Sequence, residues 1–246
     1  AKSSFEVNFY HTRESNGTSH FGVKKSVVPL GSDTWTINPE NSNKQKLSYF
    51  PDNKQTRLSA LKATSKDQSI ALSGMYLNSE AFNLNLDVED LILQNILPSV
   101  PTFTLAGKGN LEFTIVRSTE ENNLGISATI DSLNINGEDL GDLDLSANGN
   151  TELNAYFADL DLRQSGQQKM GLKGLGRGLE DPSLNFNLNF NDLDLAFLSP
   201  LGKKAVNNIR GKVGGEVTLW GPLKDLKHEG TLDWTSGGFG VPLLNL

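Results

Sequence analysis

From Leu184 to Phe190 the chain reads LNFNLNF, with an apolar residue at every second position and Asn in each gap. Successive side chains leave an extended strand on opposite faces, whereas a helix groups residues three and four apart. The stretch therefore predicts a strand with one greasy face and one polar face. The same alternation recurs at Phe5-Val7-Phe9, Ile70-Leu72, Leu84-Leu86-Val88, Leu111-Phe113-Ile115, Ile126-Ala128-Ile130, Leu143-Leu145, Leu160-Leu162, Met170-Leu172 and Val213 through Val217-Leu219. Gly, Asn and Asp separate these runs at roughly 8–12 residue intervals, the spacing of antiparallel strands joined by short turns. Helical periodicity is nearly absent. A turn is expected at the end of Leu91–Leu97, and one helical or irregular excursion over Ser199–Ile209; Pro98 and Pro200 close the strands before them, because proline donates nothing to a ladder. The fold class is all-β, an antiparallel-rich sheet with at most one or two short helices.

The pattern repeats on a longer scale. FNLNLDVEDLILQNILP from Phe82 lies over LNFNLNFNDLDLAFLSP from Leu184 without a gap, about 102 residues apart. Flanking strands follow suit: Ile70 to Gly74 matches Met170 to Gly174, and Glu112 to Ile115 matches Glu216 to Leu219. The 246 residues are read as one continuous repeat-built domain, with a first module over about 35–135 and a second over about 136–246. In both copies the apolar parity slips once. Leu184, Phe186, Leu188 and Phe190 share one parity, and Leu193 and Leu195 the other; Leu84, Leu86 and Val88 stand likewise to Leu91 and Leu93. A one-residue slip would turn the apolar set onto the wrong face unless a bulge or tight turn absorbs it. Glu89-Asp90 and Asn191-Asp192 are the expected places.

Composition narrows the functional classes. The net charge is -7, without the clustered Lys and Arg that phosphate neutralisation requires, so nucleic acid is not an expected partner. Cysteine is absent, which excludes disulfides and thiolate metal sites and leaves the compartment open. No window approaches the ~18 apolar residues of a transmembrane helix, and the apolar alternation running to the C-terminus is read as that of a segment cut from a longer protein.

The stretch GKVGGEVTLWGPLKDLKHEGTLDWTSGGFGVPLLN (Gly211 to Asn245) resembles the repeated signature of the TamB family, within the AsmA-like group of bacterial envelope proteins. That signature runs strand, Gly-x-Leu and a short turn containing Pro and Leu, then a G-x-L-x-L strand, and a glycine-rich turn ending near Val-Pro-x-Leu-Asn. Here its elements are Val217 to Leu219, Gly221 to Leu226, Gly230 to Trp234 and Val241 to Asn245. The preceding LDLAFLSPL…IRGKVGGEV also fits, and recurs more weakly from Asp90 to Glu112. The richness in Asn and Lys resembles versions from Bacteroidetes-like bacteria. The resemblance implies a long sheet curled into a U-shaped, solenoid-like trough (a β-taco). It also implies a periplasmic location, an inner-membrane anchor helix outside this segment, and an Omp85-type outer-membrane β-barrel partner reached through other regions. The function it implies is passage of phospholipid between membranes and outer-membrane assembly.

The apolar faces are the candidate site. The bulk of Leu and Phe, rather than close-packing Val and Ile, suits acyl chains, which need no specific polar contact. The expected groove lining is Leu84, Leu86 and Val88 in the first module, and Leu184, Phe186, Leu188, Phe190, Leu193, Leu195, Val217 and Leu219 in the second. A closed-core structural spacer or adhesin-like repeat protein is the alternative. Catalysis, a cofactor and a metal are not expected. His11, His20 and His228 are read as surface histidines too scattered for a ligand motif. The acidic run Gly137 to Leu145 fits polar-out alternation better than a calcium loop. The glycine-rich Gly171 to Gly178 is read as a turn, since no Lys-Ser/Thr or helix follows to hold phosphate. No serine stands in a nucleophile elbow. Trp35, Trp220 and Trp234 are read equally as ligand-surface or cross-strand aromatics.

Overall fold

The structure is a computed structural model that describes residues 5–96, 103–150, 152–178, 181–202 and 207–241. Among the described residues sixteen strands follow the chain: β1 (Phe9–Arg13), β2 (Ser19–Val23), β3 (Ser26–Leu30), β4 (Asp33–Ile37), β5 (Lys46–Phe50), β6 (Gln55–Ser65), β7 (Gln68–Asn78) and β8 (Ala81–Ile92). After one helical turn, α1 (Leu93–Ile96), come β9 (Leu105–Arg117), β10 (Asn122–Ile135), β11 (Glu138–Asn150), β12 (Ala155–Gln164), β13 (Gln167–Arg177), β14 (Ser183–Asp194), β15 (Asn207–Pro222) and β16 (Lys227–Gly240). The sheet path runs β1-β2-β5 and then in sequence order to β16, with the β3–β4 hairpin joined to it through β6. The path is open, with β1 and β16 at its two ends. The fold class expected from the sequence is thus observed: all-β, antiparallel and unclosed.

Short turns keep successive strands antiparallel. Asn136 and Gly137, and Ser165 and Gly166, all have positive φ. Two such residues in a row make the primed two-residue turn whose twist matches that of a hairpin. The excursion expected over Ser199–Ile209 begins earlier, as a 3-10 segment at Ala196–Gly202, and by Asn207 the chain is again a strand; 203–206 lie outside the described residues. Pro98 also lies outside them. The glycine-rich run from Gly171 is corrected from a turn to strand: all of it but Gly178 belongs to β13, Gln167–Arg177. Its glycines follow strand rhythm because a side chain at Gly174 would run into the Asn185 carbonyl oxygen and the Phe186 backbone.

The chain divides into two compact units, one of residues 1–96 with 109–127, the other of 97–108 with 128–246. In the first, the β3–β4 hairpin buries Trp35 to 1% exposure. Polar knots hold that hairpin. Asn38 donates through Nδ2 to the carbonyls of Val23 and Ser42 and accepts from the Ser42 amide, so a wholly buried amide is satisfied. The Asp33 carboxylate accepts from Gln68 (2.9 Å), Asn95 (2.8 Å) and Lys66 (3.2 Å), tying the hairpin to β7 and α1.

In the second unit the buried apolar residues are Leu133, Leu140, Leu162, Leu193 and Val213. They lie near one common end of their strands, where the strands are irregular. Between Phe190 and Leu193 two residues of β14 face one of β15, and Asp192 sits at φ 50. Phe190 pairs with Gly215 and Leu193 with Val213, so both project to the same face. The parity slip at Asn191-Asp192 is therefore a bulge, and it keeps the apolar set together. Asp90 has the same left-handed backbone at φ 57, and Ser132 at φ 52 precedes Leu133 in the same way. Asp is among the few side chains that visit this region readily.

Candidate functional site: the apolar face

Directly paired residues of antiparallel strands point to one face, so register alone assigns each side chain. In the first unit one row runs His11–Phe21–Leu47–Leu58–Gly74–Leu84 across β1, β2, β5, β6, β7 and β8. The row beside it carries Tyr49, Tyr76 and Phe82. Further along β8, Leu86 faces Leu72 and Val88 faces Ile70. Five of these apolar side chains are open to solvent, Leu84 and four others: Phe21 is 48% exposed, Leu47 43%, Tyr49 45% and Tyr76 53%. Phe9 joins them, its ring stacked on Phe21 at 5.4 Å. Leu47, Leu58, Tyr76, Phe82, Leu84 and Ile115 line an almost wholly apolar groove of about 290 Å³. Isolated apolar residues are ordinary on a surface, but a contiguous set marks a contact site.

The second unit repeats the design with deeper burial. Leu145, Leu160, Leu172, Leu188 and Val217 form one row from β11 to β15. Ala147, Ala158, Gly174, Phe186 and Leu219 form the next. Leu184, Phe186, Leu188, Phe190, Val217 and Leu219 all lie half-buried on this face, while Asn185, Asn187 and Asn189 are exposed on the other. Leu193 and Leu195 behave differently: Leu193 is 5% exposed within the buried cluster, and Leu195 packs against it with Phe197. The Asn136 amide donates to the Phe197 carbonyl at 2.7 Å and fixes the 3-10 segment there. One end of the face is thus covered by the protein's own chain. On β16, Leu232 and Trp234 continue the face beyond β15 and are 52% and 45% exposed.

The polar side of the first unit holds a feature that sequence reading missed. His20 is not a surface histidine; it is 8% exposed, because its cross-strand partner Ser48 and the Glu14 carboxylate enclose it. Ser48 Oγ lies 2.8 Å from Nδ1, and Glu14 Oε1 lies 2.8 Å from Nε2. The His20 hydrogen bond is the main cause that holds the Glu14 carboxyl below its ordinary range. Ser48 is only 3% exposed, so no substrate reaches its hydroxyl, and the trio acts as a clamp between the β1–β2 turn and β5. The Asp33 carboxyl is likewise lowered, chiefly by the hydrogen bonds from Gln68 and Asn95 and then by that from Lys66. Among the described residues no group of three or more His, Asp or Glu is arranged for a metal ion. In the acidic run, Asp142 and Asp144 are exposed and Leu143 and Leu145 half-buried, as strand alternation requires.

The tryptophans divide. Trp35 is core; Trp234 stacks on Phe239 at 6.1 Å and donates to the Arg210 carbonyl; Trp220 lies on the polar face opposite Asn185. Phe21, Leu47, Tyr49 and Tyr76 are not among the expected lining residues. The strands of the first three, β2 and β5, are five residues long, too short for alternation to declare itself, and only the register brings them together. Tyr76 lies near the end of β7, where Leu77 beside it blurs the alternation.

Fold and site define an open antiparallel sheet whose strands present an apolar face and a polar face. No protein-family model matches the chain, and neither a curated protein nor a solved structure matches it significantly.

Proposed function

We propose that the apolar face is a passive track for lipid acyl chains, and that the chain is a periplasmic segment of a TamB-like protein that carries phospholipid towards the outer membrane. The observation that carries this reading is the exposed, co-facial set Phe9, Phe21, Leu47, Tyr49, Tyr76 and Leu84 in the first unit, with its apolar groove. Each methylene moved from water onto such a surface gains roughly 0.8 kcal/mol, so chain length rather than headgroup chemistry supplies the affinity. Movement along the track needs no reaction, because neighbouring apolar positions are nearly equivalent. The inner-membrane anchor and the outer-membrane β-barrel partner belong to the same proposal and come from the resemblance of Gly211 to Asn245. No helix among the described residues is long and apolar enough to cross a membrane, so the anchor would be supplied by another part of the protein.

The test is mass spectrometry of solvent extracts from protein purified without detergent exchange. Wild-type protein should carry phospholipid, and L84R and L188R variants should lose it while keeping their circular dichroism. A wild-type extract free of lipid would favour a dry structural spacer or adhesin-like module instead.

A further inference from the structure

The alternation that fills one face with Leu and Phe fills the other with Asn, and lipid binding gives those asparagines no task. Asn185, Asn187, Asn189 and Asn191 occupy successive outward positions of β14 and are all exposed. Asn is disfavoured in strands, and a merely solvated face is served as well by Thr or Lys. The neighbours of this ladder form a site. Glu216, Thr218 and Trp220 pair with Asn189, Asn187 and Asn185 on β15, and Lys173 pairs with Asn187 on β13. Above them lie two adjoining hollows that share Glu216 and Thr218, the first mainly polar and the second lined about evenly by polar and apolar surface. One of about 450 Å³ reaches Asp159 and Lys173, and one of about 720 Å³ reaches Trp220 and Glu229.

The groups are oriented. Thr218 Oγ1 donates to Asn187 Oδ1 at 2.9 Å, which turns the Asn187 amide nitrogen and its two N–H donors outward. Lys173 is held by Asp159 at 2.8 Å, and Arg163 by Asp161. Glu216 and Glu229 have no ion-pair partner among the described residues and stand as acceptors at the mouth of the hollows. Trp220 offers a half-buried aromatic face beside Asn185; Phe157, in the same cross-strand row, is already capped by Lys173 Nζ at 6.0 Å from its ring centre. Carboxamides that both donate and accept, carboxylates that accept, and an aromatic platform for apolar C–H edges match a polyhydroxyl ring. The unpaired carboxylates disfavour phosphate and sulfate.

We infer that the polar face of β13–β15 binds a neutral oligosaccharide, across the sheet from the apolar track and independently of it. The first copy of the repeat lacks the platform: the match of Glu112 with Glu216 puts Val116 of β9 where Trp220 stands, so that copy is a built-in control.

The test is a screen of the intact chain against an immobilised panel of neutral oligosaccharides, with chitotetraose and maltotetraose also titrated in solution by side-chain amide NMR. Binding is expected to shift the Asn187 and Asn189 amide signals. W220A and N187A should each weaken it about tenfold or more, with unchanged melting curves, whereas N85A should leave it unaltered. Absence of binding across the panel overturns the inference, as does binding that N85A weakens as much as N187A. Preference for anionic vesicles at this face would also overturn it, whether or not lipid is found on the other side.

Discussion

Leu188 and Leu193 sit five residues apart on one strand and one face, and truncating each measures whether that face is covered. Leu193 is 5% exposed among Leu133, Leu140, Leu162 and Val213. L193A removes the transfer free energy of the lost carbons and leaves a void that rigid neighbours cannot fill, together about 3 kcal/mol within the 2–5 kcal/mol seen for buried leucines. Leu188 lies half-buried between Leu172 and Val217. There about half of the transfer free energy is at stake, and the space left opens outward, so no cavity term arises; L188A should cost about 1 kcal/mol. Equilibrium urea unfolding read by Trp220 and Trp234 fluorescence gives both values as midpoint shifts at constant slope. The ratio is the informative quantity, expected near three. Equal losses of about 3 kcal/mol for lipid-free protein would mean that Leu188 is as enclosed as Leu193, and the open track would be refuted.

Other substitutions probe the backbone and the polar knots. G174A should destabilise by about 1–3 kcal/mol, since its methyl would strike the backbone of β14, while G125A, with nothing within 4 Å of the new carbon, should change the melting temperature negligibly. At the bulge, D192G should be tolerated and D192V should cost about 1–2 kcal/mol in thermal unfolding, because a β-branched side chain resists the left-handed backbone at φ 50. Asp33 has its carboxyl lowered from 3.8, so the stability it confers is complete above that value and is lost as pH falls through the lower folded value. Urea midpoints measured from pH 5 downward should fall more steeply for wild type than for D33N; equal slopes would remove Asp33 from the account.

Much of this fold is legible because its signal is local. Leu184 to Phe190 and Leu84 to Val88 alternate over enough residues that periodicity specifies both strand and face, and the parity slip at Asn191-Asp192 locates the bulge without any knowledge of register. Other features depend on pairing between distant strands. Phe21 meets Leu47 through β2 and β5, separated in the chain by the inserted β3–β4 hairpin, and neither short strand announces its partner. His20 escapes for the same reason: its burial comes from Ser48, 28 residues away, and nothing in the spacing of three isolated histidines reveals that. Gly171 to Arg177 misleads because its composition suggests a turn where close approach of neighbouring strands demands missing side chains. Leu193 and Leu195 share the alternation of the lining residues, yet the 3-10 segment after them covers their end of the face.

The left-handed residue at Asp192 has a further meaning for a chain built by repetition. A strand with uniform alternation can slide by two residues against its neighbour and still match apolar to apolar, so long repeats invite misalignment during folding. An irregular point that fits only one position opposite Gly214 acts as an index mark and forbids the slide. Asp90 has the same left-handed backbone at the corresponding point of the earlier copy. Duplication can then lengthen such a protein without retuning the strands already present.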